Sequence, residues 1–349
     1  MKKIAVIGAG PAGIEAASAL AIQNMEVLLF EKSSNTLTNI LDKAFLFPDF
    51  SLANDMVDKL NKKLLHQNIT LHVGTEIVDI KQEGHEWKII DKKGMSYIVA
   101  AVLLSTGYTP FDAKRKEELG YGIYNGVLTS LDLEKMIKYN HIENSMGEKP
   151  KRIVFLQCVG SRDEKSGNNY CSKICCVTAV KQAIEVKKLL PDTEVYIFYM
   201  DLRMWGQSFE EMYRESQEKY DVCYVRGRIS EAAATFDKKI QFKAEDTLVG
   251  LPLKMNTDLL VLMVGMEASC GTKQLAEKLS IKGEYGFAQS LHIHLQDNET
   301  TSKGLFIAGS CKRPMGINET IADARSAALA VIEHLNANLS SNENVINKK

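Results

Sequence analysis

The chain has 349 residues, of which 45% are hydrophobic, and its formal net charge at pH 7 is -1. A chain of this length supports a sizeable core divided between two domains, and its balanced charge excludes the strongly positive surface with which proteins bind nucleic acid or anionic membranes. No apolar run approaches the eighteen or so residues that a membrane-spanning helix needs, so we predict a cytoplasmic protein without direct membrane insertion.

The first predicted elements are a strand, a glycine turn and a helix. The strand KKIAVIG enters Gly8-Ala9-Gly10-Pro11-Ala12-Gly13, the helix IEAASALAIQN follows, and a second strand, EVLLF, ends at Glu31. This order is the dinucleotide fingerprint, in which small residues admit a pyrophosphate and an acidic side chain binds ribose hydroxyls. The glycines also interrupt the apolar run that a signal peptide requires. The predicted nucleotide contacts are Gly8, Gly10, Pro11, Ala12, Gly13, Glu31 and Lys32.

Further along, VLLSTGYTP predicts a strand that ends at Thr106 and Gly107, a second candidate contact with the same nucleotide. The middle of the chain then alternates strands with helices, beginning with RIVFLQC at 152–158 and EVYIFYM at 194–200. The strand TDLLVLMVG at 257–265 is predicted to return the chain to the first domain. This alternation predicts an α/β domain inserted into the nucleotide-binding domain.

Four of the seven cysteines lie within CVGSRDEKSGNNYCSKICC, as Cys158, Cys171, Cys175 and Cys176. No Cys-x-x-Cys pair of the thioredoxin type is present. The spacing leaves an iron–sulfur cluster, a zinc ion, and a vicinal disulfide or inert thiols as alternatives. It favours the cluster, because adjacent cysteines diverge and suit separate irons better than one zinc ion. The isolated Cys223 and Cys270 are predicted to be small buried residues.

Near the C-terminus, GLFIAGSCKRPMGINETIADARSAALAVIEHL predicts a strand at residues 305–308, a glycine turn and a long helix. This stretch resembles the second FAD-binding motif of flavoproteins with two dinucleotide-binding domains. The resemblance implies that Gly309, Ser310 and Ile317 contact FAD, with the helix N-terminus facing the flavin edge that gains negative charge on reduction. Ser310 stands where the family usually has Asp, which weakens the ribityl contact expected there. FAD is therefore preferred over NAD, and Glu31 disfavours the 2′-phosphate of NADP.

The resulting fold prediction is an α/β, thioredoxin-reductase-like flavoprotein with a discontinuous FAD domain, residues 1–145 and 255–338. Residues 146–254 form the inserted domain, and residues 339–349 form a flexible tail. Flavoproteins of this kind carry a glycine-rich NAD(P)H loop where this chain has RIVFLQCVGSRD. The cysteine site is therefore predicted to replace a nicotinamide site.

A more specific resemblance covers nearly the whole chain. FLQCVGSRDEKSGNNYCSKICCVTAVKQA, VYIFYMDLRMWGQSFEEMYRESQE and ILDKAFLFPDF resemble segments of the A subunit of heterodisulfide reductases. That family binds a [4Fe–4S] cluster beside FAD, which implies that Cys158, Cys171, Cys175 and Cys176 are the cluster ligands. Lys43 is a candidate flavin contact, and a solvated lysine is an equally good interpretation. Arg162 and Arg203 are expected to be structural residues near the cluster.

The resemblance implies an electron-transfer subunit that relays electrons between FAD and the cluster, with B- and C-type heterodisulfide-reductase-like subunits as partners and a homodimer as its own assembly. The compact length is similar to the version found in sulfur-oxidising bacteria. Two alternatives stay open: the A subunit of a quinone-interacting membrane-bound oxidoreductase complex, and a self-sufficient NAD(P)H-dependent disulfide or polysulfide reductase.

Overall fold

The computed structural model of the protein describes residues 2–346, with side chains through residue 337. The chain forms two compact units. The first consists of the residues up to 41, residues 55–109 and the residues from 267 onward, and the second consists of residues 42–54 and 110–266.

Strands and helices alternate along most of the chain. The strands are β1 (Lys3–Ile7), β2 (Glu26–Phe30), β3 (Ile69–His72), β4 (Ile77–Glu83), β5 (Glu86–Asp91), β6 (Ser96–Val99), β7 (Ala101–Leu104), β8 (Tyr108–Pro110), β9 (Val127–Thr129), β10 (Arg152–Val159), β11 (Glu194–Tyr199), β12 (Cys223–Arg226), β13 (Ile229–Ala234), β14 (Ile240–Asp246), β15 (Leu251–Thr257), β16 (Leu259–Val264), β17 (Met266–Ala268) and β18 (Leu305–Ile307). The helices are α1 (Pro11–Ile22), α2 (Thr38–Leu41), α3 (Ala53–Lys63), α4 (Ser130–Lys138), α5 (Cys175–Leu189), α6 (Phe209–Glu218), α7 (Cys270–Lys278) and α8 (Ile317–Ile346).

The first unit is built on a five-stranded parallel sheet in the order β18-β7-β1-β2-β3. Strand β1 lies at its centre and is buried from Ile4 to Ile7, as expected for a strand covered on both faces. A three-stranded antiparallel sheet, β4-β5-β6, contributes Trp87 and Ile89 to the same core. The parallel arrangement brings the carboxyl ends of the central strands to one edge, which is where ligands bind in such sheets.

The second unit has its own five-stranded parallel sheet, in the order β12-β11-β10-β16-β9. Successive side chains of its central strand β10 face two different cores. Ile153 and Phe155 face the core that contains α4, α5 and α6, while Val154 and Leu156 face the core beneath the antiparallel sheet β13-β14-β15. Two parallel sheets within one chain agree with the predicted α/β architecture.

The compact units divide the chain differently from the predicted domains. Strand β16, which we predicted to return to the first domain, instead pairs with β10 in the second unit. Strand β9 extends the same sheet, so the units change at 109/110 and 266/267 rather than at 145/146 and 254/255. The apolar sequence of a buried strand is compatible with either parallel sheet, because it does not specify which neighbouring strand completes its hydrogen bonds.

The predicted tail, residues 339–349, is helical where the structure describes it. Helix α8 continues to Ile346. Residues 347–349 lie outside the described residues.

Candidate functional site

Two positions in the turn between β1 and α1 can be occupied only by glycine. Gly8 has a φ of 108°, and a Cβ atom there would lie 2.4 Å from the Ser105 carbonyl oxygen. A Cβ on Gly13 would lie 1.8 Å from the Gly8 carbonyl oxygen. Pro11 begins α1 at a position where a missing N–H costs nothing. These contacts hold the helix N-terminus tightly against the strand.

Gly10 differs from these two glycines because it faces open space. A Cβ atom on Gly10 would meet nothing within 4 Å, and Gly10 caps α1 without any side-chain hydrogen bond. The free N–H groups of the first helical turn therefore point to an open position, where the fingerprint places a pyrophosphate. Ala12 lies beside it in the first turn of the helix.

Glu31 is fixed beside this turn by two backbone donors. The Ala9 N–H donates to Oε2 and the Ser33 N–H donates to Oε1, both at 2.9 Å. A carboxylate oxygen that accepts one hydrogen bond retains a second acceptor position, so both oxygens remain able to accept ribose hydroxyls. The neighbouring Lys32 lies within electrostatic range of Glu76. That interaction does not point to a nucleotide, so a nucleotide contact of Lys32 stays a prediction.

The Thr106-Gly107 turn is held by the start of α7. The Thr106 hydroxyl lies 2.6 Å from the Thr272 hydroxyl, and the Ser269 hydroxyl donates to the Thr106 carbonyl at 2.9 Å. Gly107 has a φ of 68°, and a Cβ there would meet nothing within 4 Å. This second turn is thus rigid on one side and open on the other, as a cofactor-facing turn must be.

The third turn of the first unit follows β18. Gly309 has a φ of 72°, and a Cβ on it would lie 2.8 Å from the Ala12 Cβ, so this turn packs directly against the first one. Ser310 is buried, and Ile317 begins α8. All the residues predicted to contact FAD, apart from Lys43, therefore belong to one unit, and the turns around Gly8 and Gly309 touch.

An ionic network beneath the third turn was not predicted from the sequence. Asp323, on α8, accepts the Gly309 N–H at 2.6 Å and pairs with the buried Lys312 at 2.6 Å. Lys312 also pairs with Asp297 at 2.8 Å, and Arg313 binds both Asp297 carboxylate oxygens. Burial opposes ionisation of Asp297, but these cations outweigh it and hold its pKa below the usual range. The network fixes the position of the Gly309 turn.

We expect Asp323→Ala to lower the free energy of unfolding by about 3 kcal/mol, because it removes one carboxylate from a buried ammonium group. Urea unfolding of the protein measures the change, with flavin retention as a second readout. The exposed Asp58, on α3 of the same unit, supplies the control: Asp58→Ala should change the stability by less than about 0.5 kcal/mol. Equal effects of the two substitutions would contradict the role assigned to the network.

A second unpredicted anchor lies on α1. Glu15 is buried, pairs with Lys63 on α3, and accepts a hydrogen bond from Arg325 Nε on α8 at 2.6 Å. Burial opposes ionisation of Glu15, yet the bonds and charges of Lys63 and Arg325 hold its pKa below the usual value. Glu15 therefore ties together the two helices that begin at the glycine turns.

Lys43 lies in the second unit, within residues 42–54. Its charge helps to lower the pKa of Glu134, on α4, and the adjacent Ala44 N–H donates to Glu134 at 3.2 Å. An approach of Lys43 to a flavin stays a prediction.

The four clustered cysteines meet at the carboxyl end of β10 and the start of α5. Cys158 lies at a bulge in β10, with a φ of 61°, while Cys175 and Cys176 are the first two residues of α5. Cys171 lies in the loop before the helix and is the least buried of the four. Every pair of these thiols interacts electrostatically, so the tertiary structure brings three chain segments to one place.

Burial raises the pKa of three of these thiols. Burial, followed by the charge of Cys176, raises the pKa of Cys158 to about 12, although Arg162 opposes the rise. Burial and the other three thiols raise the pKa of Cys175 well above its usual value. Burial also raises the pKa of Cys176. Buried thiols of this kind become thiolates together only if cations neutralise them.

The surroundings of the cysteines carry backbone strain and hydrogen-bond donors. Arg162 and Lys173 have positive φ values, as Cys158 does. Arg162 Nη2 donates to Asp201 at 2.6 Å, and Arg162 and Ser161 also act as side-chain donors that oppose the rise in the pKa of Cys158 and Cys175. Donors of this kind favour the thiolate forms that metal binding requires.

Within residues 2–346, no three His, Cys, Asp or Glu side chains are arranged to hold one metal ion. Four cysteine side chains that lie close enough to interact electrostatically are the type of donor set with which iron–sulfur clusters are held.

One prediction for the remaining cysteines is wrong, because Cys223 and Cys270 are exposed, not buried. Cys223 begins β12, an edge strand, and Cys270 begins α7, so both lie at the ends of elements where side chains reach solvent. Cys311 is buried in the first unit.

Comparison with solved structures shows the fold of the protein. The structure is similar to Lactococcus lactis thioredoxin reductase (FR conformation), with a TM-score of 0.68 and 18% identity over 96% of this chain and 99% of that one. T. acidophilum thioredoxin reductase gives a TM-score of 0.66, with 18% identity over 97% of this chain and 99% of that one. The family model for pyridine nucleotide-disulphide oxidoreductases matches residues 2–135. The predicted fold, a thioredoxin-reductase-like flavoprotein with two dinucleotide-binding domains, is confirmed.

Curated relatives define the family more narrowly. The A subunit of the H(2)/formate:CoB-CoM heterodisulfide,ferredoxin reductase of Methanococcus maripaludis is 44% identical over 67% of this chain and 37% of that protein. The iron-sulfur A subunit of the CoB–CoM heterodisulfide reductase of Methanocaldococcus jannaschii is 42% identical over the same shares. The chain is therefore a flavoprotein similar to heterodisulfide reductase A subunits, and its match spans somewhat more than a third of the length of these relatives.

Across the described residues, no helix combines the length and apolar character needed to cross a bilayer.

Proposed function

We propose that the protein is an electron-transfer subunit that relays electrons between FAD in the first unit and a [4Fe–4S] cluster in the second. The main support for the proposal is that the second unit brings together Cys158, Cys171, Cys175 and Cys176. The central strand of this unit, β10, leads into these cysteines instead of a glycine-rich loop. When bound, FAD exchanges pairs of electrons and the cluster exchanges single electrons.

The residues of the first unit would hold FAD as follows. The N-terminus of α1 offers free N–H groups to the pyrophosphate beside Gly10, and Glu31 offers acceptor positions to the ribose. Thr106, Gly107, Gly309 and Ser310 belong to the two other turns at the same edge of the sheet. The N-terminus of α8, at Ile317, would stabilise negative charge on the flavin.

The residues of the second unit would hold the cluster. The four cysteines supply thiolates, the preferred ligands of iron–sulfur centres. Burial raises the pKa of Cys158 and Cys176, and the charge of Arg162 opposes this rise, so Arg162 favours the deprotonated forms that metal binding requires. The bulge and the positive φ at Cys158 direct its side chain away from the regular strand alternation.

The similarity to heterodisulfide reductase A subunits supports a place in a heterodisulfide-reductase-like complex of sulfur metabolism, with B- and C-type subunits as partners and a homodimer of this chain at its centre. All seven cysteines are free thiols, which is typical of a reducing compartment and supports a cytoplasmic location. The A subunit of a quinone-interacting complex is the nearest alternative setting for the same relay.

The absorption spectrum of the anaerobically purified protein tests the proposal. We expect flavin bands on a broad shoulder that bleaches with dithionite, together with about four iron atoms per chain. NADH alone should not reduce the flavin. Rapid reduction by NADH would favour a self-sufficient NAD(P)H-dependent disulfide or polysulfide reductase instead. A protein that binds flavin without iron or acid-labile sulfide would contradict the relay.

A further inference from the structure

The helix that begins with Cys175 and Cys176 also carries a buried ionic group. Lys181, on α5, pairs with Glu134 on α4 and lies 3.3 Å from Glu185 Oε2, one turn further along α5. At most 3% of each of these three side chains is exposed. Gln182 donates to Glu134 Oε2 at 2.7 Å. Lys181, Glu134 and Glu185 form a buried triad.

The triad contains two carboxyl groups and one ammonium group, and the two carboxyl groups have different surroundings. Glu134 accepts hydrogen bonds from Lys181, Gln182 and the Ala44 backbone. Glu185 faces Lys181 Nζ, 3.3 Å from its Oε2, and no other donor among the described residues reaches either of its oxygens. A buried carboxylate whose single donor is shared with a second carboxylate is costly, so Glu185 is the group that holds a proton.

The charges around the triad agree with this assignment. Burial raises the pKa of Glu185 to about 8, and Glu134 adds to the rise, while Lys181 and Lys188 oppose it. Burial also opposes ionisation of Glu134, but Lys181 and Lys43 outweigh it and hold its pKa below the usual value. With Glu134 ionised, the single positive charge of Lys181 is shared between two carboxyl groups, so ionisation of both would leave an excess negative charge in the triad.

The triad shares a rigid element with the cysteine site. Glu185 lies nine residues after Cys176 on α5, which places their backbones about 13 Å apart along the helix. At an effective dielectric constant of about 20, two unit charges at that separation change each other's equilibria by at most about tenfold, because the two side chains lie on opposite faces of the helix. This separation keeps Glu185 out of contact with the metal ligands. It is still short enough for the charge at the ligands to change the pKa of Glu185.

We propose that the carboxyl group of Glu185 binds one proton in linkage with the arrival of one electron at the cysteine site. The inference rests on the proposed function, since reduced flavin supplies the electron. On reduction, one proton from water adds to a Glu185 carboxylate oxygen and forms an O–H bond. On oxidation, that bond breaks and the proton returns to water, so charge balances in both directions. Lys181 and Glu134 position the proton-binding carboxyl group.

The sign of the pH dependence follows from this linkage. Well below pH 8, Glu185 is protonated in both redox states, and the potential of the cysteine site does not change with pH through this group. Above that pH, the oxidised protein loses the proton first and reduction restores it, so the potential falls with rising pH. It levels off once Glu185 is ionised in both states. The total fall corresponds to at most a tenfold change in the equilibrium constant, or about 59 mV for one electron.

Redox titration of the iron–sulfur signal by electron paramagnetic resonance, from about pH 6 to about pH 10, tests the proposal. In Glu185→Gln we expect the fall to disappear and the potential to stay near the acid limit of the wild type, because an amide is neutral like a protonated carboxyl. Glu215 forms an exposed pair with Lys219 on α6, and Glu215→Gln is the matched control that should titrate like the wild type.

Infrared difference spectroscopy of the wild-type protein gives a second measurement that does not depend on the variant folding. On reduction slightly above pH 8, a carboxylate band should disappear and a protonated carboxyl band should appear. Identical pH profiles in the wild type and Glu185→Gln, or no carboxyl band on reduction, would overturn the inference. Absence of an iron–sulfur signal from the wild type would instead overturn the proposed function.

Discussion

Cys175→Ser is expected to remove most of the bound iron and the broad absorption shoulder, while the flavin bands persist. Cys175 is buried at the start of α5 and interacts electrostatically with each of the other three thiols. A serine hydroxyl ionises far less readily than a thiol and is a poor ligand for iron–sulfur centres, which prefer thiolate. Iron and acid-labile sulfide analysis of anaerobically purified protein, with the flavin content of the same samples, measures the outcome.

Cys223→Ser provides the matched control. Cys223 belongs to the same unit but is exposed at the edge of its sheet, so its replacement should leave iron, sulfide and flavin contents at the wild-type level. A folded Cys175→Ser protein with unchanged iron content and an unchanged spectrum would show that Cys175 is not a ligand. Circular dichroism separates that result from loss of the fold.

Gly10→Ala is expected to weaken FAD binding by about 10- to 100-fold without unfolding the protein. No protein atom lies within 4 Å of the position that the added methyl group would take, and Gly10 has an ordinary φ of -79°. The methyl group would occupy the space through which a pyrophosphate approaches the helix N-terminus, and overpacking of this kind costs about 1–3 kcal/mol. Titration of the apoprotein with FAD, followed by flavin fluorescence, measures the affinity.

Two other glycine substitutions make this experiment specific. Gly13→Ala should destabilise the first unit itself, because its methyl group would collide with the Gly8 carbonyl oxygen. Gly271→Ala, on α7, should leave both stability and FAD affinity close to the wild type, since its methyl group would have its nearest contact 3.9 Å away, at the Ser269 hydroxyl. If Gly10→Ala bound FAD as tightly as Gly271→Ala does, the turn would not be the pyrophosphate site.

The sequence predicted those parts of the molecule that depend on local rules. A glycine with positive φ, a strand that is followed directly by Glu31 and a helix that starts at Pro11 are constraints within a few neighbouring residues, so the nucleotide turn is recognisable from the sequence alone. The cysteine spacing likewise indicated a thiolate site. The comparisons confirm the fold and the likeness to heterodisulfide reductase A subunits, while the ligand roles of the individual residues stay predictions.

Other features depend on residues far apart in the chain. Glu15 accepts a hydrogen bond from Arg325, which lies 310 positions away in the chain. Asp323 accepts the Gly309 N–H and so holds that turn, but nothing in the sequence distinguishes Asp323 from an exposed aspartate on a helix. Strand β16 pairs in the second unit although its apolar sequence suits either sheet. Residues 42–54, with Lys43, also belong to the second unit.

Local backbone chemistry in the sequence thus determined the turns, the strand and helix types and the kinds of ligand atom available. Tertiary structure alone decided which side chains are buried together, as for Lys181, Glu134 and Glu185. The physical reason is that conformational preferences act over a few residues, whereas burial and charge compensation are set by whichever segments pack together, whatever their separation along the chain.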